Sequence, residues 1–207
     1  MSETKKPEYA IEEKKNIKCE LDEFIRCVDG LRNLVRYQTA PRAAKETVAE
    51  HSFFVAAYVL KLHDYYKFDL KKGLRLALLH DFSEVFISDV PHPIKQRFPK
   101  ITDELEKAER KVNEEYIGEE FANELEEFNQ TSSIEGIIVA LADILSVASY
   151  AKFEMELGNS KYMQNVYRRS RERYMNLLIM AESYLRDGVN TPTIINYIEE
   201  FMISQHV

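Results

Sequence analysis

The sequence is poor in the residues that build loops and cross-links: its 207 residues include only six glycines, six prolines and two cysteines. So few glycines and prolines argue against a loop-rich or disordered chain. The cysteines, Cys19 and Cys27, are eight residues apart on a predicted helix. That spacing is about 12 Å along the helix axis, beyond disulfide reach, so a reducing compartment fits.

The sequence also lacks a segment typical of secretion or membrane insertion. Its first residues, MSETKKPEYAIEEKKN, contain no apolar core, and no later window approaches the roughly 18 apolar residues of a membrane helix. A net charge of −7 argues against a broad nucleic-acid surface, because phosphate backbones are bound through clustered lysine and arginine. We therefore expect a soluble, cytoplasmic protein that binds neither a membrane nor a nucleic acid polymer.

Apolar residues recur every three or four positions along most of the chain, and no window alternates with the period of two typical of strands. This pattern predicts an all-α fold. The predicted helices span about 16–34, 48–66, 70–81, 101–118, 132–157, 160–186 and 191–203. The segment ISDVPHPIKQRFPK holds three prolines and is predicted to be a connector with at most one helical turn. The length suits one domain over residues 13–207, after a flexible segment over residues 1–12.

Four polar side chains interrupt the apolar helical runs. His51 opens one helix, His80 and Asp81 close the next, and Asp143 lies in the middle of IIVALADILSVA. Imidazole nitrogens and carboxylate oxygens suit divalent metals such as Mn, Fe, Co and Zn. A buried aspartate needs a cation, a hydrogen-bonded partner or a shifted pKa. A metal would satisfy Asp143, and a salt bridge from a distant arginine such as Arg75 is the alternative.

Together these residues form the pattern H…HD…D, which resembles that of the HD-domain metal-dependent phosphohydrolase superfamily. The runs RYQTAPRAAKETVAEHS, HDFSEVFISDVPHPIK and ADILSVASYAKFEMELGN are similar to the bacterial 5′-deoxynucleotidase branch, over roughly residues 20–185. The resemblance implies an HD-domain helical bundle of roughly six to eight helices. It also implies a homodimer that removes the 5′-phosphate from (deoxy)nucleoside monophosphates.

The same resemblance implies that one divalent transition metal ion, Co, Mn, Zn or Fe, is held by His51, His80, Asp81 and Asp143, called the predicted ligands below. A divalent ion lowers the pKa of bound water toward neutrality and withdraws charge from a phosphoryl group. Hydrolysis then needs a group that moves protons.

Two acids that follow the His-Asp pair, Glu84 and Asp89, are the predicted catalytic residues. Glu84 comes about one helical turn after Asp81, which would let it face the attacking water as general base. Asp89 lies in a predicted loop, where it could orient the water or protonate the leaving ribose oxygen. Which of the two acids is the base stays open at this point.

Three residues are predicted to contact the substrate. Arg36 matches an arginine that contacts the nucleotide in the resembling family, and a guanidinium binds phosphate through paired hydrogen bonds. Lys95 matches the lysine of the family's Pro-x-Pro-x-Lys motif and is a predicted phosphate contact. Tyr37 departs from the family, whose best-known members carry a tryptophan that helps exclude a 2′-hydroxyl. Because tyrosine is smaller and brings a hydroxyl, ribose or deoxyribose preference stays open.

Two other interpretations also stay open. A hydrolase of the same superfamily could act on deoxynucleoside triphosphates and release triphosphate. A noncatalytic nucleotide-binding helical protein could use H…HD…D as salt bridges, although the presence of Glu84 and Asp89 argues against this. A second His-Asp pair, His63 and Asp64, lacks the acid-rich continuation and is interpreted as a coincidental match.

Overall fold

The computed structural model describes residues 20–88, 90 and 92–189. A first helix, α1, covers residues 20–30. The others are α2 (Val48–Leu62), α3 (Leu70–Leu79), α4 (Glu84–Ile87), α5 (His92–Arg97), α6 (Pro99–Tyr116), α7 (Glu119–Asn129), α8 (Ile134–Glu156) and α9 (Ser160–Ala181), followed by a 3₁₀ turn over Glu182–Tyr184. These described residues contain two isolated β-bridges and no strand, which confirms the all-α prediction. The predicted helix 191–203 and the segment 1–12 lie outside them.

The centre of the fold is a group of three helices, α2, α3 and α8, which pack against one another, with α9 along α8. Fully buried aliphatic side chains fill the space between them: Val55, Val59, Leu76, Ile138 and Leu141. Each such side chain contributes roughly 1.5–3 kcal/mol relative to an exposed position. This core fixes α2 and α8, which carry His51 and Asp143, and α3, which is followed directly by His80 and Asp81.

Capping residues set where two of these helices begin. The Thr47 hydroxyl accepts a hydrogen bond from the Glu50 backbone N–H at 3.2 Å, and the Glu50 carboxylate accepts from the Thr47 N–H at 2.7 Å. This reciprocal pair is a capping box, and His51 follows it directly. At the start of α8 the Ser133 hydroxyl accepts from the Gly136 N–H at 3.2 Å. The caps thus set the start of each helix on which a predicted ligand lies.

Among the described residues, α8 is the helix long and apolar enough to cross a membrane, so the expectation that no window comes close was wrong. Its apolar window is 67% buried inside the protein. The surrounding helices α2, α3, α7 and α9 pack against it. A helix that is apolar on most sides and covered by other helices is the central helix of a bundle, and α8 fits that description.

Several helix limits differ from the sequence prediction. Helix α1 ends at residue 30, α2 at Leu62 and α9 at Ala181, each earlier than predicted. Helix α6 begins at Pro99, because the fixed φ of proline suits the first turn of a helix. The proline-rich connector, residues 87–100, holds the six-residue helix α5, where at most one helical turn was predicted, and α4 ends at its first residue. Helix α7 was not predicted, since it buries only a few apolar residues among many acids.

Candidate metal and phosphate site

The turn after α3 brings His80 and Asp81 together. The helix ends at Leu79, two residues earlier than predicted, and both residues lie in the turn that leads to α4. His80 Nε2 is 3.3 Å from Asp81 Oδ2. Adjacent residues within a helix point about 100° apart, but at this helix end both side chains approach one point.

His51 from α2 and Asp143 from α8 reach the same point. His51 Nε2 lies 3.1 Å from Asp143 Oδ1 and 3.9 Å from Asp81 Oδ2. His51, His80 and Asp143 each place one nitrogen or oxygen atom that could bind a metal within 4.8 Å of the other two. The described residues contain no other such cluster of three histidine, cysteine or acidic side chains. The structure therefore brings all four predicted ligands together.

Both histidines offer the Nε2 atom that a metal needs. His80 Nδ1 donates to the Ala77 carbonyl at 3.0 Å, which leaves the lone pair of the neutral ring on Nε2. His51 Nδ1 lies 3.0 Å from Ser146 Oγ. The two Nε2 atoms are buried, and the groups close to them are the carboxylates of Asp143 and Asp81. Buried polar atoms of this kind call for a ligand, and two imidazoles with two carboxylates fit a divalent transition metal.

The ionisation of these groups also suits a metal. Burial lowers the pKa of His51 to about 4, and the nearby Arg36 cation acts in the same direction. Burial favours the neutral acid at Asp143, but the hydrogen bond with His51 and the nearby Arg36 guanidinium outweigh it and lower the pKa of Asp143. At neutral pH the site therefore holds a neutral imidazole at His51 and a carboxylate at Asp143, the two forms that bind metals.

Arg75 does not neutralise Asp143. Its guanidinium lies 2.6 Å from a Glu124 oxygen and 3.3 Å from a Glu120 oxygen, both on α7. The salt bridge from Arg75 that sequence reasoning kept as an alternative is therefore wrong.

Arg36 is the cation beside the predicted ligands. Its Nη1 lies 3.4 Å from Glu46 Oε2, and the two side chains are only 15% and 7% exposed. Burial disfavours the charge of Arg36, but the negative groups around it, including Asp81 and Asp143, raise its pKa. Burial raises the pKa of Glu46 to about 7 against the opposing effect of Arg36. The guanidinium thus stays charged next to the ligands, where it can bind an anion.

Residues 36–46, called the Arg36 loop below, hold Tyr37 in a defined place. The Tyr37 ring stacks on that of Tyr150, with centroids 5.1 Å apart and planes at 11°. Its backbone has φ of 56°, a left-handed conformation that costs a non-glycine residue about 1–3 kcal/mol. The Tyr37 carbonyl accepts hydrogen bonds from the Arg42 side chain and the Ala40 N–H, both at 3.0 Å. These contacts keep the ring beside Arg36.

The sequence relatives agree with this site. The model of the 5′-deoxynucleotidase YfbR-like family matches residues 23–186. The chain belongs to this family. A 5′-deoxynucleotidase of Pasteurella multocida is 32% identical over 155 residues, which cover 69% of this chain and 79% of the relative. One from Yersinia pseudotuberculosis is 29% identical over 176 residues, covering 79% and 86%. The resemblance drawn from the sequence is confirmed.

Solved structures share the fold of this YfbR-like chain. A Pyrococcus horikoshii protein superposes with a TM-score of 0.66 at 26% identity, over 88% of this chain and 96% of that one. An HD-domain phosphohydrolase of Listeria innocua gives a TM-score of 0.71 at 19% identity, over 90% of each chain. At that identity the second match bears on the fold alone, and it confirms the predicted HD-domain architecture.

Three further residues were predicted to belong to the site: Glu84, Asp89 and Lys95. Glu84 is the first residue of α4, half-buried, and its N–H donates to the Asp81 carbonyl at 3.1 Å. Asp89 lies outside the described residues. Lys95 is on α5, with Nζ 3.3 Å from a Glu109 oxygen on α6. The catalytic and phosphate-binding roles of these residues remain predictions.

The second His-Asp pair lies at the surface. Asp64 forms an ion pair with Lys61 at 2.8 Å, and its side chain is 59% exposed. His63 contacts the Arg186 guanidinium, with 3.1 Å between Nε2 and Nη2. Neither residue belongs to the cluster of His51, His80 and Asp143.

Sequence reasoning missed three residues that support the site: Ser146, Tyr150 and Glu154. All three follow Asp143 on α8 at spacings close to whole turns, so they continue its face of the helix. Glu154, about three turns beyond Asp143, is fully buried despite its charge. Continuing the face that bears Asp143 along the helix would have identified them.

Replacing Ser146 with alanine should weaken metal binding by about 10- to 100-fold, because His51 loses the hydroxyl that orients its ring. The measurement is competition for Zn²⁺ or Co²⁺ against a chromogenic chelator. Ser149→Ala is the matched control, since Ser149 is on the same helix and is absent from the contacts of His51. Equal affinity for Zn²⁺ in the wild type and both variants would contradict an orienting role for Ser146.

Proposed function

We propose that this protein is a divalent-metal-dependent 5′-nucleotidase, which converts (deoxy)ribonucleoside monophosphates to nucleoside and orthophosphate. The observation that carries the proposal is the convergence of the four predicted ligands next to a buried, charged arginine. The names of the relatives, which are 5′-deoxynucleotidases, support the same reaction. The more general statement, a nucleotide phosphohydrolase, follows from the family.

The predicted ligands would hold one divalent transition metal ion, Co, Mn, Zn or Fe. When bound, such an ion lowers the pKa of water at the site and withdraws charge from a phosphoryl group. The lowered pKa values of His51 and Asp143 favour the neutral imidazole and the carboxylate at neutral pH, which are the forms that bind metals.

Arg36 would bind the substrate phosphate. Its guanidinium can donate two parallel hydrogen bonds to phosphate oxygens, and its burial strengthens this interaction relative to a surface arginine. Glu46 holds the side chain in place before substrate arrives, which reduces the entropy lost on binding. Lys95 is the second proposed phosphate contact, and its ammonium group also forms an ion pair with Glu109.

Glu84 and Asp89 would move the protons. Water attacks phosphorus and gives up a proton, the bond from phosphorus to the 5′-oxygen breaks, and that oxygen takes a proton. One acid would act as the base for the water, and the other would orient the water or donate to the leaving oxygen. Glu84 is favoured as the base, since it follows the Asp81 turn directly.

A substrate panel tests this function and reports the role of Tyr37. Ribo- and 2′-deoxynucleoside mono- and triphosphates are incubated with Mn²⁺, Co²⁺, Zn²⁺ or EDTA, and orthophosphate and triphosphate are quantified separately. We expect orthophosphate from the monophosphates, none with EDTA. If the Tyr37 hydroxyl binds a 2′-hydroxyl, Tyr37→Phe should lower the ribo-to-deoxy activity ratio about fivefold or more, because a net hydrogen bond contributes about 1 kcal/mol. Triphosphate as the product, or no product with any metal, would contradict the proposal.

We also propose a cytoplasmic homodimer that binds neither a membrane nor a nucleic acid polymer. Exposed apolar side chains on α2 and at the C-terminal end of α8 support a protein contact there: Phe53, Phe54, Phe153 and Leu157. Phe54 and Phe153 border one cavity of about 370 Å³, whose wall also includes Lys45, Glu46 and Glu50, so the two helices are neighbours at this surface. Sedimentation velocity would contradict the dimer if it gave only a monomer at micromolar concentration.

A further inference from the structure

One buried carboxylate, that of Glu154, connects the Arg36 loop to α8. Glu154 has no solvent exposure. Its two oxygens accept hydrogen bonds from the Ala43 N–H at 2.7 and 3.1 Å, and one of them accepts from the Ala44 N–H at 2.6 Å. The loop and Glu154 are more than 100 residues apart in the sequence, so the contact is purely tertiary.

Two neighbouring side chains extend this attachment. The Tyr150 hydroxyl lies 3.3 Å from Glu154 and 3.0 Å from the Ala44 carbonyl. The Asn159 side-chain amide donates to Glu154 at 2.7 Å and to the Pro41 carbonyl at 2.8 Å. The Ala43 and Ala44 amides and the Asn159 side-chain amide all donate to the Glu154 oxygens, and an ionised carboxylate can accept all of these hydrogen bonds.

The attached segment is part of the loop that carries Arg36 and Tyr37. A bridge between Val35 and Thr47 closes the base of the loop, with the Arg36 N–H donating to the Glu46 carbonyl at 2.9 Å. Beyond this base, the Tyr37 ring rests on Tyr150, whose hydroxyl meets Glu154. The two ends of the loop are thus joined by the bridge between Val35 and Thr47, and the middle of the loop, at Ala43 and Ala44, is bound separately by Glu154.

We propose that Glu154 is a positioning residue, which fixes the Arg36 loop on α8 so that Arg36 and Tyr37 are in place before substrate binds. The statement about substrate rests on the proposed function, whereas the attachment of the loop does not. Glu154 would act through Arg36 and Tyr37, away from the reacting atoms. Loosening the loop should therefore add an ordering cost to substrate binding and affect KM more than kcat.

The variant Glu154→Gln tests the proposal, because it replaces one acceptor oxygen with an NH₂ group that would face N–H donors. Glu156→Gln is the matched control, an exposed acid two residues further along the same helix. With 2′-deoxyadenosine 5′-monophosphate we expect Glu154→Gln to raise KM about tenfold, with kcat changed less than threefold. Bound metal should stay at the wild-type level, and the control should match the wild type.

Hydrogen exchange measured by mass spectrometry tests the attachment without using activity. Peptides that contain the Ala43 and Ala44 amides should exchange at least about tenfold faster in Glu154→Gln, while peptides from α2 and α3 keep their rates. Tyr150→Phe provides a milder second variant, since it keeps the stacked ring and removes the hydroxyl. It should shift loop exchange and KM in the same direction by a smaller factor, and Glu156→Gln should change neither.

The outcomes separate this proposal from the proposed function. Unchanged exchange at Ala43 and Ala44 in both variants would overturn the attachment. Faster loop exchange with unchanged KM, or a fall in kcat alone, would overturn the positioning role. A wild-type protein that releases no phosphate from any nucleotide would refute the nucleotidase proposal and with it the positioning role, and the exchange rates would still decide the attachment.

Discussion

Replacing Asp81 with alanine should remove both the bound metal and the phosphatase activity from a protein that still folds. Asp81 Oδ2 lies 3.3 Å from His80 Nε2 and 3.9 Å from His51 Nε2, so its loss takes a negative ligand from the centre of the site. Metal assistance contributes several kcal/mol to phosphoryl transfer, and each 1.4 kcal/mol is a factor of ten. We expect less than a tenth of an equivalent of metal and an activity loss on the order of 10³-fold.

The matched control for this variant is Asp64→Ala. Asp64 also follows a histidine, but its side chain is 59% exposed and forms an ion pair with Lys61. Metal analysis by mass spectrometry, orthophosphate release and circular dichroism should show Asp64→Ala to match the wild type. Full metal content in Asp81→Ala, or equal losses in both variants, would contradict the ligand assignment.

Replacing Glu84 with glutamine should lower kcat by about 10²- to 10⁴-fold while metal content stays at one equivalent. Glutamine keeps the size of the side chain but cannot accept a proton from water at neutral pH. Because Glu84 begins α4 next to the Asp81 turn and is not itself a predicted ligand, the ion should still bind. Single-turnover kinetics with a deoxynucleoside monophosphate measures the chemical step.

The comparison with Asp89→Asn decides which acid is the base. If Glu84 is the base, Glu84→Gln loses the acidic limb of the profile of kcat against pH, and Asp89→Asn keeps it. The reverse pattern would assign the base to Asp89. Wild-type activity in Glu84→Gln would show that Glu84 has no catalytic role.

The ligands could be found from the sequence because each one breaks a local pattern. His51 and Asp143 stand out in apolar helical runs, and the His80-Asp81 pair ends one. The end of α3 at Leu79 could not be found in the same way, because the helical backbone hydrogen bonds continue to His80 and no residue in the apolar run marks the stop.

The residues that support the site were not predictable from local pattern alone. A serine such as Ser146 or a glutamate such as Glu154 has many possible partners in a sequence, and only tertiary packing selects His51 for the first and the Arg36 loop for the second. Arg36 itself was found through family resemblance, because its loop has no helical period. Its ion pair with Glu46 became visible only in the folded chain.

The most direct test of a metal-dependent nucleotidase is a metal titration of the EDTA-treated wild type. Orthophosphate release from 2′-deoxyadenosine 5′-monophosphate is followed as Mn²⁺ or Co²⁺ is added in fractions of an equivalent, at protein concentrations well above the Kd. We predict no release without metal, then a linear rise that saturates at one equivalent per chain. Hydrolysis in the metal-free protein, or saturation unrelated to one equivalent, would contradict the account.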